Sequence, residues 1–158
     1  MGVHLKSVAQ VWSSFCGLSE SAEVRDLAEG QDAYARQDFA LALQKLQPLA
    51  EQGNPVAECY LGLMHEYGQG LDKDAVKAAK WFHLAAHQGD PRAQNNLGLK
   101  YATGSGTAQD DQEAIKWFRL SADQGYAFAQ NNLGVMYEKG QGIAQNYAQA
   151  VELYRAAV

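Results

Sequence analysis

The chain has 158 residues, 47% of them hydrophobic, which is enough to bury the core of one domain. Its formal net charge is −5 and no basic cluster interrupts it, so nucleic acid and anionic membrane surfaces are excluded as expected partners; both need concentrated Lys and Arg. No run of about 18 apolar residues is present, so no membrane span is expected.

The first candidate element is residues 3–16, where Leu5, Val8, Val11, Trp12 and Phe15 fall at helical spacing. Within 1–22 this stretch is expected to fold back as an amphipathic cap on the first helical unit. Met1-Gly2 begins a myristoylation pattern, but Lys6 stands where Ser or Thr is needed. The apolar stretch is broken by Gln10, Ser13 and Ser14, which does not make a signal peptide, and the compartment stays open between cytoplasm and periplasm or exterior.

Residues 23–56 read as a short helix pair. Gly30, Ala33 and Ala42 are small residues at crossing positions, Leu46, Leu49 and Ala50 line the second helix, and Gln37-Asp38 makes the turn. From Ala57 onward the sequence repeats every 36 residues. Ala57, Leu61, Gly62, Gly68 and Gly70 recur as Ala93, Leu97, Gly98, Gly104 and Gly106, then as Ala129, Leu133, Gly134, Gly140 and Gly142. Residues 57–89 and 93–125 share 15 of 33 positions, and 93–122 and 129–158 share 13 of 30, too many for chance at one fixed offset. A period in this range marks a solenoid whose units bury their apolar faces only against neighbours. The units are 57–92, 93–128 and 129–158, the last incomplete.

Each unit reads as two antiparallel helices, which makes the chain all-α. Asn54-Pro55 and Asp90-Pro91 pair an N-cap with proline at the first helical position. Asp110 and Glu113 have capping-box spacing, repeated by Asn146 and Gln149. Ala114, Trp117, Phe118 and Leu120 form a stripe that Gln124-Gly125 terminates with a glycine suited to the left-handed cap. Gly98 and Ala114 let helices approach; Tyr101 and Trp117 fill the space between units.

These residues resemble the Sel1-like repeat family, kin of tetratricopeptide repeats. The resemblance rests on Ala-x-x-x-Leu-Gly-x-x-Tyr (Ala93 to Tyr101, Ala129 to Tyr137), the Gly-x-Gly loop, and Ala-x-x-Trp-Phe (Ala78 to Phe82, Ala114 to Phe118). It covers 57–158, and 23–56 in the shorter tetratricopeptide form. His65 replaces the first tyrosine, and Leu153-Tyr154 replace the third Trp-Phe pair. The resemblance implies a right-handed α-solenoid of antiparallel helix pairs that works as a non-catalytic scaffold, with a protein or peptide in its concave groove and no cofactor. Two rivals stand beside it: an enzyme acting on cell-wall or β-lactam material, and a structural spacer in a longer array. Some secreted relatives staple each helix pair with a disulfide; here only Cys16 and Cys59 exist, as buried or groove-lining thiols or as one bridge of demanding geometry.

Several chemical motifs dissolve into the repeat. Gly68-x-Gly70 and its copies have no strand before them, so they read as helix-connecting turns rather than phosphate loops. His83 and His87 have zinc-ligand spacing, but their counterparts are Arg119 and Asp123. Asp72 and Asp74 lack the rest of a calcium loop. Ser105 and Ser121 lack an accompanying His and carboxylate.

In tetratricopeptide-like units the first helix lines the groove. Turned about 100° per residue off its packed face, the expected groove residues are Cys59, Leu63 and Glu66; Arg92, Asn95 and Leu99; and Asn131, Val135 and Glu138. Val56, Tyr67, Ala102, Thr103, Phe128 and Lys139 hold related positions. Asparagine offers a donor and an acceptor to a peptide backbone, and the row Leu63, Leu99, Val135 would take apolar side chains; the competing reading packs both rows against the next helix. At the other end, Val151, Leu153, Tyr154, Ala157 and Val158 form an apolar surface expected to self-associate or to carry further repeats.

Overall fold

The computed structural model describes the backbone of residues 8–158 and the side chains from residue 22 onward. The described residues form α-helices and no strand: α1 (Val8–Ala35), α2 (Phe39–Glu51), α3 (Pro55–Tyr67), α4 (Ala75–His87), α5 (Pro91–Thr103), α6 (Asp111–Asp123), α7 (Ala127–Lys139) and α8 (Tyr147–Ala156). Each packs chiefly on its chain neighbours, so the antiparallel pairs α1/α2 to α7/α8 stack into an α-solenoid. The backbone over the expected N-terminal cap is continuous with α1 from Val8, while its apolar face and Cys16 lie outside the residues described in side-chain detail.

Local chemistry sets the helix boundaries. Asn54 Oδ1 accepts from the Val56 and Ala57 amides at 3.1 Å, and Asp90 Oδ1 from Arg92 and Ala93 at 2.9 and 3.0 Å. Asp74, Asp110 and Asn146 cap α4, α6 and α8 in the same way. The expected capping box forms only by half: the Glu113 carboxylate turns to Lys116 Nζ at 3.1 Å. At the start of α7, Tyr126 stands where the earlier units have Asn54 and Asp90, and no side chain caps the helix.

The glycine loops are spacers between units. In each, the chain folds back through one bond: Asp74 N to His65 O, Asp110 N to Tyr101 O, and Asn146 N to Tyr137 O, all 2.9 Å. The second glycine then meets the second helix of the preceding unit. A Cβ on Gly106, where φ is +80°, would overlap the Ala75 carbonyl oxygen. Close approach within a pair has the same logic, since Gly62 lies under the Phe82 ring and Gly98 under the Phe118 ring.

The apolar core runs along the stack as a series of junctions. Trp117 reaches back from α6 to join Cys59, Phe82, Ala93 and Leu97, and Tyr101 bridges this cluster to the next, around Phe118 and Leu133. A polar seam accompanies it. Gln88 Nε2 donates to Glu58 Oε2 and, one unit on, Gln124 Nε2 donates to Gln94 Oε1, both at 2.8 Å. These bonds satisfy buried polar groups that would otherwise cost about 1–3 kcal/mol each.

Candidate interaction site

The face made by α3, α5 and α7, the first helices of the three repeat units, carries the residues expected to meet a partner. The fold brings Leu63, Glu66 and Leu99 together. With Tyr67, Asn96 and Thr103 they line a hollow of about 220 Å³ between α3 and α5. Leu99 is 39% exposed and Tyr67 64%, so the mouth has an apolar rim.

Lys100 closes the hollow. Its ammonium is nearly buried, pairs with the Glu66 carboxylate and lies 3.3 Å from Ser105 Oγ. The residues 36 positions either side of it are Met64 and Met136, both core side chains. A cation therefore occupies a slot that the other units fill with methionine, and Glu66 from the preceding unit neutralises it. Removing one member of a buried pair typically costs about 3–5 kcal/mol. Asn96, Lys100 and Ser105 were not among the expected groove residues; a Lys in a column of Met was the available signal.

Two expected contacts are corrected by burial. Cys59 is fully buried, and burial, followed by the charge of Asp90, pushes its thiol pKa up to about 12. Such a thiol neither meets a partner nor reacts as a thiolate. Asn95 is only 5% exposed, and its Oδ1 accepts from Asn132 Nδ2 at 2.8 Å, a lateral bond from α7 to α5. The packing reading of this row therefore holds at these two positions, while Asn131 is exposed.

The remaining expected residues divide between packing and solvent. Arg92 is half-buried, held by Asp90 at 3.1 Å and seated 5.3 Å from the Tyr60 ring centre. Burial alone would lower the guanidinium pKa, but the hydrogen bond and charge of Asp90 outweigh it and leave it raised. Val135 is half-buried. Glu138 is exposed and accepts from the Tyr154 hydroxyl at 2.5 Å, tying α7 to α8; burial and then Glu138 push the Tyr154 pKa up to about 12. Phe128 stands out at 68% exposed.

Among the described residues no three His, Cys, Asp or Glu side chains gather as metal ligands. His83 and His87 stack at 4.0 Å between ring centres, and His87 Nδ1 lies 2.9 Å from the His83 carbonyl oxygen. No helix among those described is long and apolar enough to cross a membrane.

Three consecutive stretches, 55–90, 91–126 and 127–158, match the Sel1 repeat family. Its frame starts at the first residue of each unit's first helix, Pro55, Pro91 and Ala127, two residues ahead of the phase read from the alanines. No curated protein matches the chain. Among solved structures it is similar to a Sel1 repeat protein from Oxalobacter formigenes, at 35% identity and a TM-score of 0.77 over 83% of this chain and 54% of that one. It is also similar to c5321, a protective antigen of uropathogenic Escherichia coli strains displaying an SLR fold, at 35% identity and a TM-score of 0.79 over 92% of this chain and 32% of that one. The chain thus spans about half of the first protein's length and a third of the second's. With three consecutive units matched, and with glycine loops in register, the chain belongs to the Sel1 repeat family.

Proposed function

We propose that this chain is a non-catalytic docking module that holds a protein or peptide segment across the face of α3, α5 and α7. Sel1 repeat proteins are typically protein-interaction scaffolds, and the reading here adds where a partner would sit. The observation that carries it is the hollow between α3 and α5. Leu63 and Leu99 give it apolar walls, Asn96 and Thr103 supply donors and acceptors at the same place, and Lys100 and Glu66 neutralise one another at its end. It suits one large apolar side chain of a bound segment whose neighbouring backbone bonds to the amide. Exposed Phe128 and Asn131 extend the face toward α7.

The test is selection of displayed peptides on the intact chain, followed by binding to the variant Leu99→Lys. Leu99 is a surface residue, so helicity and melting temperature should hold while the selected peptides lose at least about tenfold in affinity, or 1.4 kcal/mol. Peptides that bind the variant as well as the parent would overturn the reading. A second association is supported at α8. Tyr147 and Val151 are 63% and 44% exposed. Self-association through this face predicts a mass that rises with concentration in sedimentation; constant monomer mass would exclude it.

A further inference from the structure

The opposite side of the array, made by the second helices, carries a feature that the docking reading leaves unused. A groove of about 440 Å³ runs along α4 and is closed on its far side by α5 and the α5–α6 loop. Val76, Leu84, Leu97 and Tyr101 make it mostly apolar, and Lys80 and His83 stand on its edge. Val76 and Leu84 are 52% and 49% exposed, high for aliphatic side chains in a recess. Its depth comes from Gly106, whose loop lies so close to the Ala75 backbone that no side chain fits between them.

One unit on, polar side chains bridge the same place. Gln112 replaces Val76 and bonds to the Gly142 carbonyl; Arg119 replaces His83 and reaches the Tyr137 hydroxyl at 3.0 Å. One unit back, the matching recess on α2 is lined by Ala40, Leu43, Gln44, Gln47, Pro48 and Glu51 and has no cation. An open groove edged by a lysine is therefore particular to α4 rather than a product of the repeat.

Charge indicates what would fill it. The net charge of the chain is −5 with its histidines neutral, yet α4 contains two Lys and no acidic residue. No carboxylate lines the groove. Lys77 and Lys116 are paired with Asp74 and Glu113, whereas Lys80 has no ion pair among the described residues. The length indicates its form. Val76 to Leu84 spans about 12 Å at 1.5 Å per residue, long enough to take the i to i+7 stripe of a facing helix, which spans about 10.5 Å. The apolar side chains line a recess rather than project, which suits a helix and not a lipid surface.

We propose that the α4 groove is a second docking site, for an acidic amphipathic helix of a partner protein, with its apolar stripe against Val76, Leu84 and Tyr101 and its carboxylates facing Lys80. The test uses a labelled helical peptide with leucines at i, i+4 and i+7 flanked by glutamates, and its counterpart with lysines instead, titrated onto the intact chain by fluorescence anisotropy. The acidic peptide should bind and the basic one should not. Lys80→Glu and Leu84→Gln, both at the surface, should each weaken binding about tenfold or more, and Leu99→Lys on the other face should leave it unchanged. Equal binding of the two peptides, no binding of either, or loss only with Leu99→Lys would overturn the proposal. So would a concentration-dependent dimer that Leu84→Gln abolishes, because a second copy would then be the occupant.

Discussion

Gly98→Ala against Gly134→Ala isolates the contact that fixes the spacing within a helix pair. The two glycines are repeat equivalents in mid-helix, so each alanine gains the same intrinsic helix propensity, about 1 kcal/mol. Their surroundings differ. A Cβ at Gly98 would sit 2.7 Å from two carbons of the Phe118 ring and 3.2 Å from the Ala114 carbonyl oxygen, and Phe118 is 1% exposed. A Cβ at Gly134 would sit 2.6 Å from Tyr154, a half-buried ring that can swing outward at the loss of its hydrogen bond to Glu138. Overpacking a closed core costs about 1–3 kcal/mol; less the propensity gain, Gly98→Ala has a net loss of about 0–2 kcal/mol, centred on about 1 kcal/mol. For Gly134→Ala, the propensity gain roughly offsets one hydrogen bond worth about 1 kcal/mol. At about 2–4 °C per kcal/mol for a chain of this size, Gly98→Ala should melt about 2–4 °C below the parent and Gly134→Ala within about 2 °C of it. Thermal unfolding followed by circular dichroism measures both. Phe118→Leu in the Gly98→Ala background should recover part of the loss, because it removes the clashing ring atoms. Equal shifts at the two sites, or a stabilised Gly98→Ala, would refute the argument that ring contact sets the spacing.

Asn95→Ala should lower stability by about 1–2 kcal/mol in urea unfolding, since it strands the Asn132 amide, whereas exposed Asn131→Ala should change it by less than about 0.5 kcal/mol; equal effects would contradict the lateral bond. Cys59 should resist alkylation at neutral pH and react only once urea unfolds the chain, as site-resolved mass spectrometry will show; ready labelling in the native state would contradict its burial and raised pKa. Trp117→Ala should cost about 3–5 kcal/mol. Trp117→Phe should cost much less, because the indole N–H is buried without a hydrogen-bond partner among the described residues and its removal forfeits no bond.

The architecture was legible because its determinants are local and recur. Asn54, Asp90 and Asp110 cap helices through bonds to amides two or three residues away, and each glycine loop is closed within one unit. The interaction face was harder to read. A first helix in a solenoid packs against its own partner helix and against units on both sides, leaving only a narrow strip for solvent. One helical step then decides between contact and burial: Leu99 reaches the surface, whereas Asn95, four residues earlier, turns into the seam with α7. The Glu66–Lys100 pair spans 34 residues, and nothing near either residue in sequence announces it.

Interior positions such as Gly62, Gly98, Phe82 and Phe118, being held by contact, cannot vary without moving a neighbouring helix. Outward positions of the second helices carry no such constraint, and there the units diverge. Val76 and Gln112 are repeat equivalents, as are His83 and Arg119, yet one pair leaves a groove open and the other bridges it. Positions that agree between units therefore describe how the array is built. Positions that differ, on a backbone whose geometry the agreeing ones impose, are where the chain has room to acquire a partner. By that argument Lys100 in a methionine column and the cationic edge of α4 carry more functional information than the repeat signature itself.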